Sequence, residues 1–231
     1  KDSNFNHIPK GFEIPTDCDY LHYTSNNTIF GTQFKEIPNT TIPLVCDMSS
    51  DIFSKKVDIS KFDLIYAGAQ KNMGPAGATL YIVKDEVFTR NRINIPTMLN
   101  IETHVKKDSM FNTPPVYSIY VSMLNLRHLK KIGGVAAQQK INEEKAALLY
   151  AEIDRNPLFK GVAAVEDRSN MNATFVLTDE SKQAKFDEMW KAANISGIKG
   201  HRSIGGYRAS MYNALPVSSV QVLVDVMKEL K

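Results

Sequence analysis

Lys71 stands in the stretch AGAQKNMGPAG, a cation among small and turn-forming residues, with the apolar run FDLIY before it and ATLYIV after it. A lysine directly after a strand-like run falls on the kind of strand-end loop where α/β proteins place ligands. Three chemistries compete for it. A solvated turn lysine is the commonplace reading. A phosphate loop fails on spacing, because GxxxxGK[ST] places the lysine after its glycine and a hydroxyl after the lysine, whereas here Gly74 follows Lys71 and no Ser or Thr succeeds it. A lysine that forms a Schiff base needs a desolvated amine of lowered pKa, so that the neutral nucleophile is available. Small neighbours would then let a flat ring approach the backbone.

The third chemistry needs a partner, and VCDMSSD ends an apolar run at a carboxylate, Asp47, about one strand-loop-strand unit before Lys71. A carboxylate beside a pyridine-type nitrogen keeps that nitrogen protonated and makes the ring an electron sink. The competing role for Asp47 is a helix cap or turn carboxylate. The five histidines, His7, His22, His104, His128 and His201, show neither HxxxH nor HExxH spacing, so no metal site is expected.

These residues must be carried by a frame. With 231 residues, 43% hydrophobic and 23% charged, the chain suits one large domain or two smaller ones with a sizeable core. A net charge of +3, from 28 basic and 25 acidic residues spread along the chain, gives no field that points to nucleic acid or an anionic membrane. Apolar runs such as VQVLVDVM are broken by charge well short of a membrane span. Cys18 and Cys46 form no CxxC pair, which fits a reducing cytoplasm. Lys1 in the place of an initiator Met, with no helix or phosphate loop ahead of the first strands, predicts a processed, cleaved or truncated product.

Hydrophobic period divides the chain. DYLHYT, TIPLVCDM, FDLIYAG and ATLYIV read as short strands between turn clusters. From Pro115 the period becomes helical: Val116, Ile119, Tyr120, Met123 and Leu124 recur along VYSIYVSMLNLRHLKK, and Gly133 with Gly134 can end that helix. VAAQQKINEEKAALLYAEI, rich in strong helix formers, gives a second helix that closes near Asn156. Beyond it come MNATFVLT as a strand, KQAKFDEMWKAANI as a helix, GGYRASMY as a strand, and a last helix with Pro216 near its first turn. The expected division is residues 1–150, part of a larger layer ending in the bridging helix, and 151–231, a small α/β domain.

The blocks HYTSNNTIFGTQF, VCDMSSDIFSKKVDISKFDLIYAGAQKNMGPAG, SMFNTPPVYSIY, GGVAAQQKINEEKAALLY and GHRSIGGYRASMYNALP, in this order, resemble the phosphoserine aminotransferase family, pyridoxal-phosphate enzymes of fold type I. The resemblance runs from about Leu21 to the C-terminus. It implies an α/β fold whose large domain has a mainly parallel sheet, incomplete here, plus a small C-terminal α/β domain. Lys71 matches the lysine that holds the cofactor aldehyde and later moves a proton at the substrate α-carbon. Gln70 matches its neighbour on the cofactor phosphate, Asp47 the partner of the pyridine nitrogen, and Thr28 a threonine hydrogen-bonded to the cofactor. Asn112 and Thr113 match a pair that reaches the phosphate from the neighbouring subunit, so the resemblance implies a homodimer with shared sites. His201, Arg202 and Arg208 match residues that bind the phosphate and carboxylate end of the substrate, work that suits the planar fork of arginine.

Each assignment has a plainer competitor. Thr28 could shape a turn, Asn112 could cap the helix after Pro114 and Pro115, and Lys199, His201, Arg202 and Arg208 could form a solvated basic face or a weak nucleic-acid patch. Family members also extend well over a hundred residues further at the N-terminus. That region carries a substrate arginine, a glycine-containing phosphate cup and a ring that stacks on the cofactor, none of which can be assigned here. The implied reaction is reversible amino transfer between glutamate and 3-phosphohydroxypyruvate, giving phosphoserine and 2-oxoglutarate for serine biosynthesis and, in some bacteria, serving pyridoxine synthesis. The competing functions are a non-catalytic remnant that folds or dimerises without cofactor, and a sister aminotransferase acting on an unphosphorylated keto acid.

Overall fold

The computed structural model describes residues 4–90, 93–202 and 205–231; Lys1 lies outside them. The described strands and helices, in chain order, are β1 (Leu21–Thr24), β2 (Asn26–Asn27), β3 (Thr32–Gln33), β4 (Leu44–Asp47), β5 (Leu64–Gly68), β6 (Thr79–Val83), α1 (Glu86–Thr89), α2 (Ile101–Val105), α3 (Val116–Lys131), α4 (Gly134–Arg155), β7 (Phe159–Gly161), β8 (Asn172–Leu177), α5 (Gln183–Ala192), β9 (Tyr207–Ser210) and α6 (Val217–Glu229). The result is an α/β fold in which β1, β4 and β5 run parallel and β6 returns antiparallel at the edge, in the order β1-β4-β5-β6. A second sheet, β7-β8-β9, is antiparallel throughout.

Strand alternation sets what each face of the first sheet can do. On β4, Leu44 and Cys46 are buried while Val45 and Asp47 turn to the other face; on β5, Ile65 and Ala67 are buried while Tyr66 and Gly68 turn outward. The buried set joins Met48, Ile52, Phe62 and Met73 in one core. Burial pushes the Cys46 thiol up to about 12, so this cysteine is an inert core residue at neutral pH. Its neighbour Asp47 is left on the face where chemistry can be done.

The second core lies between the antiparallel sheet and α4, α5 and α6. Residues 146, 149, 150 and 153 of α4 and 220, 223, 224 and 227 of α6 recur at helical spacing and are buried in it. Apolar periodicity also predicts α3, but there the apolar residues face outward: Val116, Ile119, Tyr120 and Leu124 are exposed. The helix docks instead through short polar side chains. Ser118 Oγ donates to the Ala76 carbonyl (2.7 Å), and Asn125 Nδ2 donates to that of Met73 (2.7 Å).

Lys145 of α4 is fully buried, and its amine donates to the carbonyls of Met211 (2.9 Å) and Tyr212 (2.8 Å) at the end of β9. Burial lowers its pKa to about 8 from 10.5. Between those values the unfolded chain binds more protons than the folded one, so stability rises with pH as the buried charge is relieved. A neutral amine still donates both hydrogen bonds. We expect Lys145→Met to remove a stability gain on the order of 2 kcal/mol across that interval, measured as the difference between parent and variant urea midpoints at each pH. Parallel midpoint-against-pH curves for the two proteins would refute this.

Candidate active site

Residues 69–78 connect β5 to the antiparallel β6, and Lys71 sits in this connection. The loop is tight: Ala69 donates its N–H to Ala78 (2.9 Å), and the N–H groups of Met73 and Gly74 both return to the Ala69 carbonyl (3.0 and 2.8 Å). Two of the small residues that follow are needed for packing against α3. A Cβ on Gly74 would stand 2.6 Å from Ser122 Oγ, and one on Gly77 would stand 2.9 Å from Ser118 Oγ. Those glycines let α3 lie against the loop and hold it.

The Lys71 amine is half-buried, and burial lowers its pKa, opposed by Asp47 and Asp51 and reinforced by Arg208. That combination enlarges the neutral, nucleophilic fraction of the amine. It also shows which charges surround the amine: Asp47 from the end of β4, Asp51 from the following loop, and Arg208 from β9 in the second sheet. Asp47 accepts the Ser49 N–H through Oδ1 (2.8 Å), and Ser49 Oγ in turn accepts the N–H of Gly68 (3.1 Å). The turn role expected of an aspartate here is thus filled by one carboxylate oxygen, and the same turn ties β4 to β5.

Arg208 is aimed by β8. Its register partner is Thr174, and its Nη1 donates to the Thr28 carbonyl (3.1 Å), while its buried Nε has no partner among the described residues. Thr28 occupies the turn between β2 and β3. That turn is shaped by Asn27, whose Oδ1 accepts from the N–H groups of Ile29 (3.0 Å) and Phe30 (3.2 Å). The hairpin is wedged against the second sheet at Gly31, whose φ is +76° and whose added Cβ would meet Thr174 Oγ1 at 2.5 Å.

Of the residues singled out in the sequence, the structure therefore assembles Thr28, Asp47, Lys71 and Arg208. Gln70 is exposed, with its carboxamide folded over Gly68. Asn112 and Thr113 are exposed ahead of α3, and Asn112 Nδ2 donates to the Thr113 carbonyl (3.2 Å). No described contact joins this pair to Lys71. Asn112 is not a helix cap either, since Pro115 occupies that position. His201 and Arg202 are exposed in a loop closed by the Gly205 N–H on the His201 carbonyl (2.9 Å), and no described contact carries them to Arg208. A shared basic face is also not what this region presents, because Lys199 pairs with Asp187 and Arg208 points inward to Thr28.

Two contributors were absent from the sequence reading. Tyr66, paired in register with Asp47, presents its hydroxyl to that carboxylate, and His22 Nε2 lies 3.1 Å from the same oxygen. Burial, followed by the Asp47 charge, raises the phenol pKa and keeps it a proton donor. Asn26, almost fully buried, donates to Ser50 Oγ (2.9 Å) and Asn172 Oδ1 (2.8 Å), fixing the Thr28 hairpin to both sheets. Strand alternation places Tyr66 on the Asp47 face, but nothing in the local sequence supplies the register that makes them neighbours.

The chain is 64% identical over its whole length to a phosphoserine aminotransferase of Flavobacterium johnsoniae and spans 65% of that protein. Among solved structures it superposes on the phosphoserine aminotransferase of Bacillus circulans subsp. alkalophilus with a TM-score of 0.90 at 42% identity, covering 94% of this chain and 61% of that one. A pyridoxal-phosphate-bound phosphoserine aminotransferase from Trichomonas vaginalis gives 0.89 at 36%, covering 94% and 62%. The chain thus spans about 65% of the length of the curated relatives it matches. The family model for class-V aminotransferases matches residues 10–223, a span that holds Thr28, Asp47, Lys71 and Arg208 together, and the chain belongs to the class-V aminotransferase family.

Proposed function

We propose that the protein carrying this chain is a phosphoserine aminotransferase. It moves an amino group reversibly between glutamate and 3-phosphohydroxypyruvate, using pyridoxal 5'-phosphate, as a cytoplasmic homodimer serving serine and pyridoxine biosynthesis. The observation that carries the reading is the half-buried Lys71 amine at a strand end, with Asp47 and Arg208 within electrostatic reach from different strands. The donor set suits the cofactor: an amine with a lowered pKa for its aldehyde, and the Asp47 carboxylate at the end of the neighbouring strand for its ring nitrogen. Pyridoxal phosphate, when bound, supplies the electron sink that makes an α-proton removable.

The remaining work falls to the chain. Lys71 Nζ takes the proton from the substrate α-carbon, and its lowered pKa, set by burial, enlarges the fraction of amine able to act as a base. Arg208, anchored at Nη1 by the Thr28 carbonyl, keeps its buried Nε for an oxyanion of the substrate. His201 and Arg202 would close over the same group, and Thr28 and Gln70 would contact the cofactor. Asn112 and Thr113 would reach the phosphate held by a second copy; the exposed apolar stripe of α3 beside them supports such a dimer. We further propose that α4 joins two units, residues 1–150 and 151–231, since its second half lies in a core separate from that beneath Lys71.

Steady-state kinetics of the purified protein with glutamate and 3-phosphohydroxypyruvate provide the test. Two half-reactions sharing one site give parallel double-reciprocal lines, with phosphoserine competing against glutamate. Equal turnover of an unphosphorylated keto acid, with no competition by phosphoserine, would assign the protein to a different amino acceptor.

A further inference from the structure

The residue after Lys71 is Asn72, and its side chain joins three segments. Its Nδ2 donates to the carbonyls of Ile52 (3.1 Å) and Ser50 (3.5 Å), in the loop after Asp47. Its Oδ1 accepts the N–H of Asn213 (3.0 Å), beyond Arg208 and β9. Asn213 continues the linkage: Nδ2 donates to the Phe53 carbonyl (3.1 Å), and Oδ1 accepts from Asn142 Nδ2 (2.9 Å). Asn142, buried in α4, also donates to the Ser54 carbonyl (3.0 Å) and accepts from Gln138 Nε2 (3.0 Å), which reaches the Asn213 carbonyl as well (3.2 Å).

The strand ends that carry Asp47, Lys71 and Arg208 are therefore bonded to one another through amides, and none of these bonds ends on those three side chains. Apolar contacts would hold the segments together while leaving their offsets loose. Amide hydrogen bonds are directional and fix offsets to a few tenths of an ångström. Where the amides are buried, each must be paired, so the set forms as a unit.

We propose that Asn72, Asn142 and Asn213 are positioning residues that hold the Lys71 amine at a set place relative to Asp47 and Arg208, so that the amine and the substrate-binding arginine act in one register. This rests on reading Lys71 as the nucleophile. The groups that face the amine are Asp47, Asp51 and Arg208, and the linkage determines how closely each approaches.

Asn213→Ala cuts the side-chain bonds to Phe53 and Asn142 at a half-buried site. Two readouts are taken. In cofactor-free protein, competitive labelling of amines with acetic anhydride across pH reports the titration midpoint of Lys71 itself. With pyridoxal phosphate bound, kcat and KM are measured separately. A released loop lets water reach the amine, so the Lys71 midpoint moves upward and kcat falls about 10- to 100-fold, by more than KM changes. A folded variant whose Lys71 midpoint matches the parent overturns the proposal, whatever happens to kcat. If Asn213→Ala does not fold, Asn72→Ala breaks the same linkage at its other end and is read identically. Failure of the assigned reaction is recognised separately, since then neither parent nor variant transfers an amine, while the labelling still decides whether the amides set Lys71.

Discussion

Lys71→Ala is expected to lower kcat for amino transfer by at least about 10²–10⁴-fold, the range that loss of one positioned acid-base group commands, and to abolish the cofactor linkage altogether. Borohydride treatment of the parent with pyridoxal phosphate, followed by peptide mapping, places a pyridoxyl group on the peptide containing Lys71; the variant carries none there. The fold survives. The Lys71 amine makes no hydrogen bond among the described residues, and the net effect of its surroundings is to destabilise its charged form. Removing it therefore relieves a desolvated cation and leaves the melting temperature unchanged or slightly higher. The loop keeps its shape through backbone bonds to Ala69 and through Asn72 and Asn125, which the substitution does not touch. Retained transaminase activity in a folded Lys71→Ala protein would show that Lys71 is not the nucleophile.

What could be read from the sequence follows from which forces are local. Each expected strand forms, and on β4 and β5 an apolar residue at every second position commits one face to the core; Cys46 and Asp47 are adjacent and face opposite ways for that reason. Lys71 and Asp47 were legible as candidates because both stand where an apolar run stops. The long helices were legible too, but the buried face of α3 was not: its apolar stripe is exposed, and serines against Gly74 and Gly77 make the contact. Short elements such as β7, α1 and α2 escaped because three to five residues show no period. The hidden part of the site is non-local. Arg208 reaches Thr28 across most of the chain, and Tyr66 faces Asp47 only through strand register. Asn72, Asn142 and Asn213 carry no spacing signature, since their partners are mainly backbone carbonyls of other segments.

Phe175→Ala is expected to cost about 3–5 kcal/mol, because a fully buried ring leaves a cavity that two layers cannot both close. Phe175 stacks on Tyr207 with centroids 5.5 Å apart and meets Phe159 edge-on at 5.8 Å; Phe186 then packs on Tyr207 at 4.9 Å. Total stabilities of domains run at about 5–15 kcal/mol, so this loss is a large fraction of what is available. Trp190 is the only tryptophan and lies in the same core, its Nε1 donating to Asp187 Oδ1 (3.0 Å), which makes its fluorescence a direct probe during urea unfolding. The midpoint should fall with little change in slope; a shift equivalent to less than about 1 kcal/mol would mean that the ring cluster is not what holds the second sheet. Function should be affected through one connection. Tyr207 precedes Arg208 on β9, so loosening that strand frees the guanidinium from the Thr28 carbonyl and raises KM for the proposed phosphorylated substrate. The Lys71 loop is anchored on the other core through Ala69 and Met73 and is held by α3 and the amide linkage, so below the new midpoint Lys71 should still be labelled by pyridoxal phosphate and borohydride. A folded Phe175→Ala protein that lost the Lys71 adduct along with its substrate affinity would show that the two cores are coupled through more than α4 and the asparagines.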